Sequence, residues 1–140
     1  MANVQNAEIG RTLLIRLDPG EDLLGGLREA VTASGVRQGV FVTGVGSLTS
    51  YHLHVVETTN LPPGNVFWKE SGPFDIVAVT GAVLGGRVHA HLTVSNDERV
   101  MGGHLEPGCN VLTFAFITLL EMHGDDISAW DTPGPLALTQ

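Results

Sequence analysis

The sequence predicts an α+β fold, a mostly antiparallel β-sheet with one main helix, and three observations predict it. One run, about residues 21–34, carries its apolar residues at helical spacing. Most other apolar stretches are short and rich in β-branched and aromatic residues, the chemistry of a pleated, half-buried surface. The chain also has 18 glycines and 7 prolines but only 16% charged residues, which makes for many turns. At 140 residues it is expected to form a single domain, with a core over about residues 11–121 and an acidic, Pro-containing tail.

Taken in order, residues 1–10 read as a loose leader and residues 11–17 (RTLLIRL) as a first strand. Asp18, Pro19 and Glu21 then announce the helix: a cap, a proline at the first helical position, and a carboxylate three after the cap. Leu23, Leu24, Leu27, Ala30 and Val31 form its apolar face. Gly25-Gly26 costs roughly 1 kcal/mol per glycine relative to alanine, so a close neighbour is expected there. Gly35 is the stop signal. Residues 36–43 read as a second strand and 49–57 as a third. The intervening GVGSL of residues 44–48 reads as a tight turn, or else as a nest of backbone N–H groups for an anion. Residues 58–73 read as a Pro/Gly-interrupted loop with a short extended piece at 66–69, followed by a strongly apolar strand over 74–84. Gly85-Gly86 is a two-residue hairpin signal that pairs this strand with residues 87–94. After the polar reversal Asn96-Asp97-Glu98 a brief extended return follows, and residues 109–121 read as a buried central strand. From Gly124 onward the tail is expected to lie on the surface.

Charge narrows the function. The net charge is −8, with one lysine (Lys69) and six arginines and no basic run, a poor basis for neutralising nucleic-acid phosphates. The single cysteine, Cys109, precludes an internal disulfide and fits a reducing compartment. No charged-then-apolar leader is present, and no apolar run approaches the ~20 residues that span a bilayer. The expectation is a cytoplasmic protein without a membrane partner.

The histidines carry the chemistry. Successive strand residues face opposite sides, so His89 and His91 share one face about 7 Å apart, while Val88, Ala90 and Leu92 take the core side. The reversal at Asn96 can bring His104 back beside them, with Gly102-Gly103 allowing close backbone approach. Three neutral imidazoles from two adjacent strands make a half-open site for zinc, its remaining positions free for water or a ligand carboxylate or phosphate. His52 and His54 form a rival pair without an evident third ligand, and His123 reads as a surface residue. Glu106 is a candidate to steady a ligand imidazole or to act as general base, or else a turn residue before Pro107-Gly108. Cys109 is a soft ligand or, more simply, core.

GEDLLGGLREA, GVGSL, SGPFDIVAVTGAV, HAHLTVSNDERVMGGHL and the following Gly108-Cys109 together resemble the plants and prokaryotes conserved (PPC) domain over about residues 11–121. The resemblance implies an antiparallel α+β fold assembled as a homotrimer. It also implies a zinc site near a subunit junction, with ligands at His89, His91 and His104. Plant members carry the domain behind AT-hook segments in nuclear DNA-binding proteins; this sequence has no Arg-Gly-Arg hook. Three functions follow as expectations. The preferred one is a trimeric metal-binding protein that binds or processes a small anionic ligand, in a pocket of residues 44–48, Glu106 and Arg87 or Arg99. The others are a DNA-associated regulator and a purely structural zinc staple of the trimer.

Overall fold

The computed structural model describes residues 2–137. Its elements are β1 (Ala7–Leu17), α1 (Leu23–Ser34), β2 (Gln38–Val56), β3 (Asn65–Leu84), β4 (Arg87–Ser95), β5 (Val100–Leu105) and β6 (Val111–Gly124). The strands form one sheet in the order β1-β6-β2-β3-β4-β5, with antiparallel pairing throughout, so the predicted α+β class holds. The first half of β2 pairs with β6, whereas near its end Leu53 and His54 pair with Leu105 and His104 of β5. Strands β2 to β5 therefore close on themselves, and β6 and β1 extend from the other half of β2.

Two expectations change here. Residues 44–48 are neither a turn nor an anion nest, because β2 runs straight through them as one 19-residue strand. The glycine is needed for a bend: Gly46 has φ 140°, and a Cβ there would lie 2.0 Å from the Phe114 carbonyl oxygen. Register shifts on either side of it let the strand coil from one partner to the next. The expected loop over 58–73 is likewise shorter, since β3 starts at Asn65 and passes through Gly72 and Pro73. The register shift between Leu48 and Ser50 accommodates that proline, which has no N–H to give the ladder.

The helix also begins later than expected. Asp22, not Asp18, is the cap, and its carboxylate accepts from Gly25 N at 2.8 Å. Its other oxygen accepts from Gly108 N at 2.7 Å, tying the helix start to the segment before β6. Residues 18–21 form the turn before it, with Glu21 N donating to Asp18 O. The close neighbour expected at the glycine pair is real: a Cβ on Gly26 would fall 2.1 Å from Leu17 Cδ2. Leu23, Leu24, Leu27 and Val31 are buried in one core cluster with Leu17, Phe41, Val79, Leu92 and Ile117. Each such side chain contributes about 1.5–3 kcal/mol on burial. Gly35 closes the helix at φ 72°, and Gly85-Gly86 form the expected hairpin with φ 61° and 80°.

Opposite the helix, the sheet shows water a row of apolar side chains, with Leu14, Val45, Val77 and Phe114 all exposed. Among the described residues, no helix is long and apolar enough to cross a membrane.

Candidate metal centre

Alternation on β4 puts Ala90, Leu92 and Val94 in the core and His89 and His91 on the opposite face. Across the β4–β5 ladder His91 stands opposite His104, and across the β5–β2 closure His104 stands opposite His54. Three imidazoles thus form a row over three strands, with His89 two residues along. The predicted trio is brought together with ring centroids 4.9 Å (His89–His104), 5.6 Å (His89–His91) and 5.7 Å (His91–His104) apart. His54 stacks on the other side of His104 at 4.3 Å. The glycines before His104 make room: a Cβ on Gly103 would lie 2.6 Å from His54 O, and one on Gly102 3.0 Å from Leu92 O.

Among the described residues, Nδ1 of His104 is buried without a hydrogen-bond partner. It lies 3.2 Å from Glu106 Oε1, close enough for charge attraction but poorly aligned for a hydrogen bond. Glu106 Oε1 instead meets His54 Nδ1 at 2.5 Å. Burial lowers the pKa of His104, and the neighbouring His54 and His89 lower it further against the opposing pull of Glu106. Burial, then His89 and His54, lower that of His91. Both rings are thereby kept neutral, with the lone pairs that a metal needs. Ligand atoms of His54, His104 and Glu106 all lie within 4.8 Å of one another. Beside them His89 Nδ1 meets Asp131 Oδ2 at 2.9 Å, and the Arg87 guanidinium holds that carboxylate well below the usual range. A nitrogen-rich cluster with one orphaned buried nitrogen and carboxylates behind it fits a borderline-soft divalent ion such as zinc.

The row opens on a pocket of about 810 Å³ walled by Val56, Pro62, Pro63, Leu92 and Pro133. This differs from the pocket expected. Residues 44–48 lie at the β6 end of β2, Arg87 is engaged by Asp131, and Arg99 by Glu70. Cys109 is core, its thiol pushed up to about 11 by burial. His52 turns away to Pro107 O, and His123 is exposed beside Glu121. Asp131 in the tail escaped sequence reasoning and carried no signal there. His54 was weighed as half of a rival pair on its His-x-His spacing, but its partners His104 and Glu106 were not visible.

Residues 4–123 match the sequence model of the Plants and Prokaryotes Conserved (PCC) domain. The fold is similar to that of a metal-containing protein from Archaeoglobus fulgidus, with TM-score 0.79 and 23% identity over 89% of each chain. It is similar to a plant- and prokaryote-conserved (PPC) protein from Pyrococcus horikoshii, with TM-score 0.74 and 25% identity over 91% of this chain and 87% of that one. A candidate DNA-binding protein from Bacteroides thetaiotaomicron has a similar fold, with TM-score 0.69 and 16% identity over 89% and 87% of the two chains. In sequence the chain is 33% identical over 108 residues to the bifunctional protein GlmU of a Synechococcus strain, a match covering 76% of this chain. It spans only 16–17% of the length of the curated relatives it matches. The family match takes in the helix and all the strands but for the last residue of β6, and the chain belongs to the Plants and Prokaryotes Conserved domain family.

Proposed function

We propose that this domain binds a divalent metal ion, zinc by its donor chemistry, through His89, His91 and His104, and presents it to a small anionic ligand. The observation that carries the reading is His104, in register with histidines on both neighbouring strands and with a buried Nδ1 that no described residue satisfies. An unpaired buried polar atom costs about 1–3 kcal/mol, a cost that ligation at that nitrogen relieves. His54 and Glu106 already satisfy each other, which favours His89 and His91 as the partners of His104. Bound there, zinc would supply a Lewis acid and a water of pKa about 7. Three neutral ligands leave the ion its charge, which favours an anion in the open positions; the ligand's apolar part would rest on Val56, Pro62, Pro63 and Pro133. The role of Glu106 is to hold His54 and set its charge against His104. The A. fulgidus protein of similar fold is metal-containing, which agrees with this reading.

Self-association, as a homotrimer, is part of the proposal. The exposed row of Leu14, Val45, Val77 and Phe114 is the kind of surface that associating subunits cover. DNA binding is disfavoured on charge. Of seven cationic side chains, Arg11, Arg16, Arg87 and Arg99 already pair with carboxylates, against a net charge of −8.

The test is metal content together with mass in solution, before and after chelation. Roughly one zinc per chain, removed without change of mass, is expected. Dissociation on chelation would instead make the metal a staple of the assembly. His91→Ala should abolish metal uptake while the sheet still melts cooperatively; normal metal content in that variant would sink the ligand assignment.

A further inference from the structure

The family match ends at residue 123, yet the chain beyond it returns to the histidine row. Ile127 N donates to Gln38 Oε1 at 2.8 Å, and two turns follow, Trp130 N to Ile127 O and Thr132 N to Ala129 O. These turns deliver Asp131 to β4. There the Arg87 guanidinium donates to both carboxylate oxygens at 2.9 and 3.0 Å, and to Ser128 O at 2.6 Å. Arg87 and His89 lie two apart on one strand face, so a carboxylate gripped by the first is held against the second.

We propose that Asp131 is the positioning residue for His89, fixing its proton on Nδ1 and turning Nε2 toward the pocket. A carboxylate can only accept, so the Nδ1–Oδ2 contact of 2.9 Å places the proton on Nδ1. A neutral imidazole has one N–H, which leaves Nε2 as its lone pair. Docking the tail would require only the Arg87 fork. The shared oxygen goes further and sets the tautomer of a ring in the histidine row, while Pro133, two residues on, forms part of the pocket wall. The device belongs to the segment that follows the family domain. Its consequence for metal affinity rests on the metal reading above; the tautomer does not.

Long-range ¹H–¹⁵N spectra of the full, metal-free chain, taken well above the ordinary imidazole pKa of about 6.5, read the tautomer directly. His89 should carry its proton on Nδ1 in the wild type and shift toward Nε2–H in Asp131→Ala. Asp126→Ala, which removes another tail carboxylate, should leave it unchanged. Zinc competition against a chromophoric chelator should show a 10–100-fold loss of affinity in Asp131→Ala and none in Asp126→Ala. Cooperative melting of both variants guards against simple unfolding. An unchanged His89 tautomer in Asp131→Ala, or an equal shift in Asp126→Ala, overturns the proposal. A wild-type chain that takes up no zinc defeats the metal reading, and the tautomer comparison then decides the role of Asp131 by itself.

Discussion

Replacing Glu106 by glutamine tests the histidine row where its electrostatics are tightest. Oε1 lies 2.5 Å from His54 Nδ1 and 3.2 Å from His104 Nδ1, and the side chains of Glu106 and His54 are only 21% and 20% exposed. Glutamine keeps the shape and one acceptor but loses the charge. A charge-assisted hydrogen bond contributes about 1.5–3 kcal/mol and a neutral one about 1, so the metal-free fold should lose about 1 kcal/mol, allowing for partial solvation. The metal should feel more. Glu106 sets its charge 3.2 Å from the ligand ring of His104 and holds the His54 ring stacked on it. Losing a carboxylate beside a ligand should cost about 10–100-fold in affinity, about 1.4–2.7 kcal/mol at 1.36 per decade. Protonation does not explain such a loss. Glu106 raises the pKa of His104 against burial, so the variant's ring is still more firmly neutral near pH 7. Zinc competition near neutral pH, with melting curves in chelator, separates the two effects. Affinity within twofold of wild type would refute the reasoning and reduce Glu106 to the turn residue that Pro107-Gly108 follows.

Two further outcomes probe the fold behind the site. Arg11 donates to Glu121 at 2.9 and 2.6 Å and holds its carboxyl at about 2, below the ordinary 4.5. A depressed carboxylate stabilises the fold above the unfolded value, so stability should fall as pH drops from about 4.5 toward 2; Glu121→Gln should flatten that limb, and an unchanged acid profile would count against the pair. Gly46→Ala sets a Cβ 2.0 Å from a backbone oxygen at φ 140°, and urea denaturation should register a loss of about 2 kcal/mol or more, whereas a loss below half of that would mean the β2 bend adapts without glycine.

What could be read from the sequence was local. Gly85-Gly86 needs positive φ at both positions, and that alone pairs β3 with β4; strand alternation then fixes His89 and His91 on one face. The Asn96 side chain accepts from Glu98 N and Arg99 N, so the reversal that returns His104 is also written within a few residues. The capping misreading was local too. Asp18, Pro19 and Glu21 satisfy the pattern of a helix start, but Asp22 also reaches Gly108 and Cys109, and that tertiary tie sets where the helix begins.

His54 was hidden for a different reason. Its partnership with His104 spans fifty residues and depends on β2 leaving β6 and meeting β5. That handover is made by register shifts flanking Phe41 and Gly46 and another after Leu48, in a segment whose composition reads equally well as a tight turn. A turn there would have sent residues 49–57 back as a separate strand, with His52 and His54 lacking any neighbour. Because the segment bends without reversing, the same chain that packs Phe41 into the helix-covered core also delivers His54 to the ring row. The bend of β2 is thus a structural condition of the site: the fourth imidazole and the Glu106 contact exist only while the strand closes onto β5.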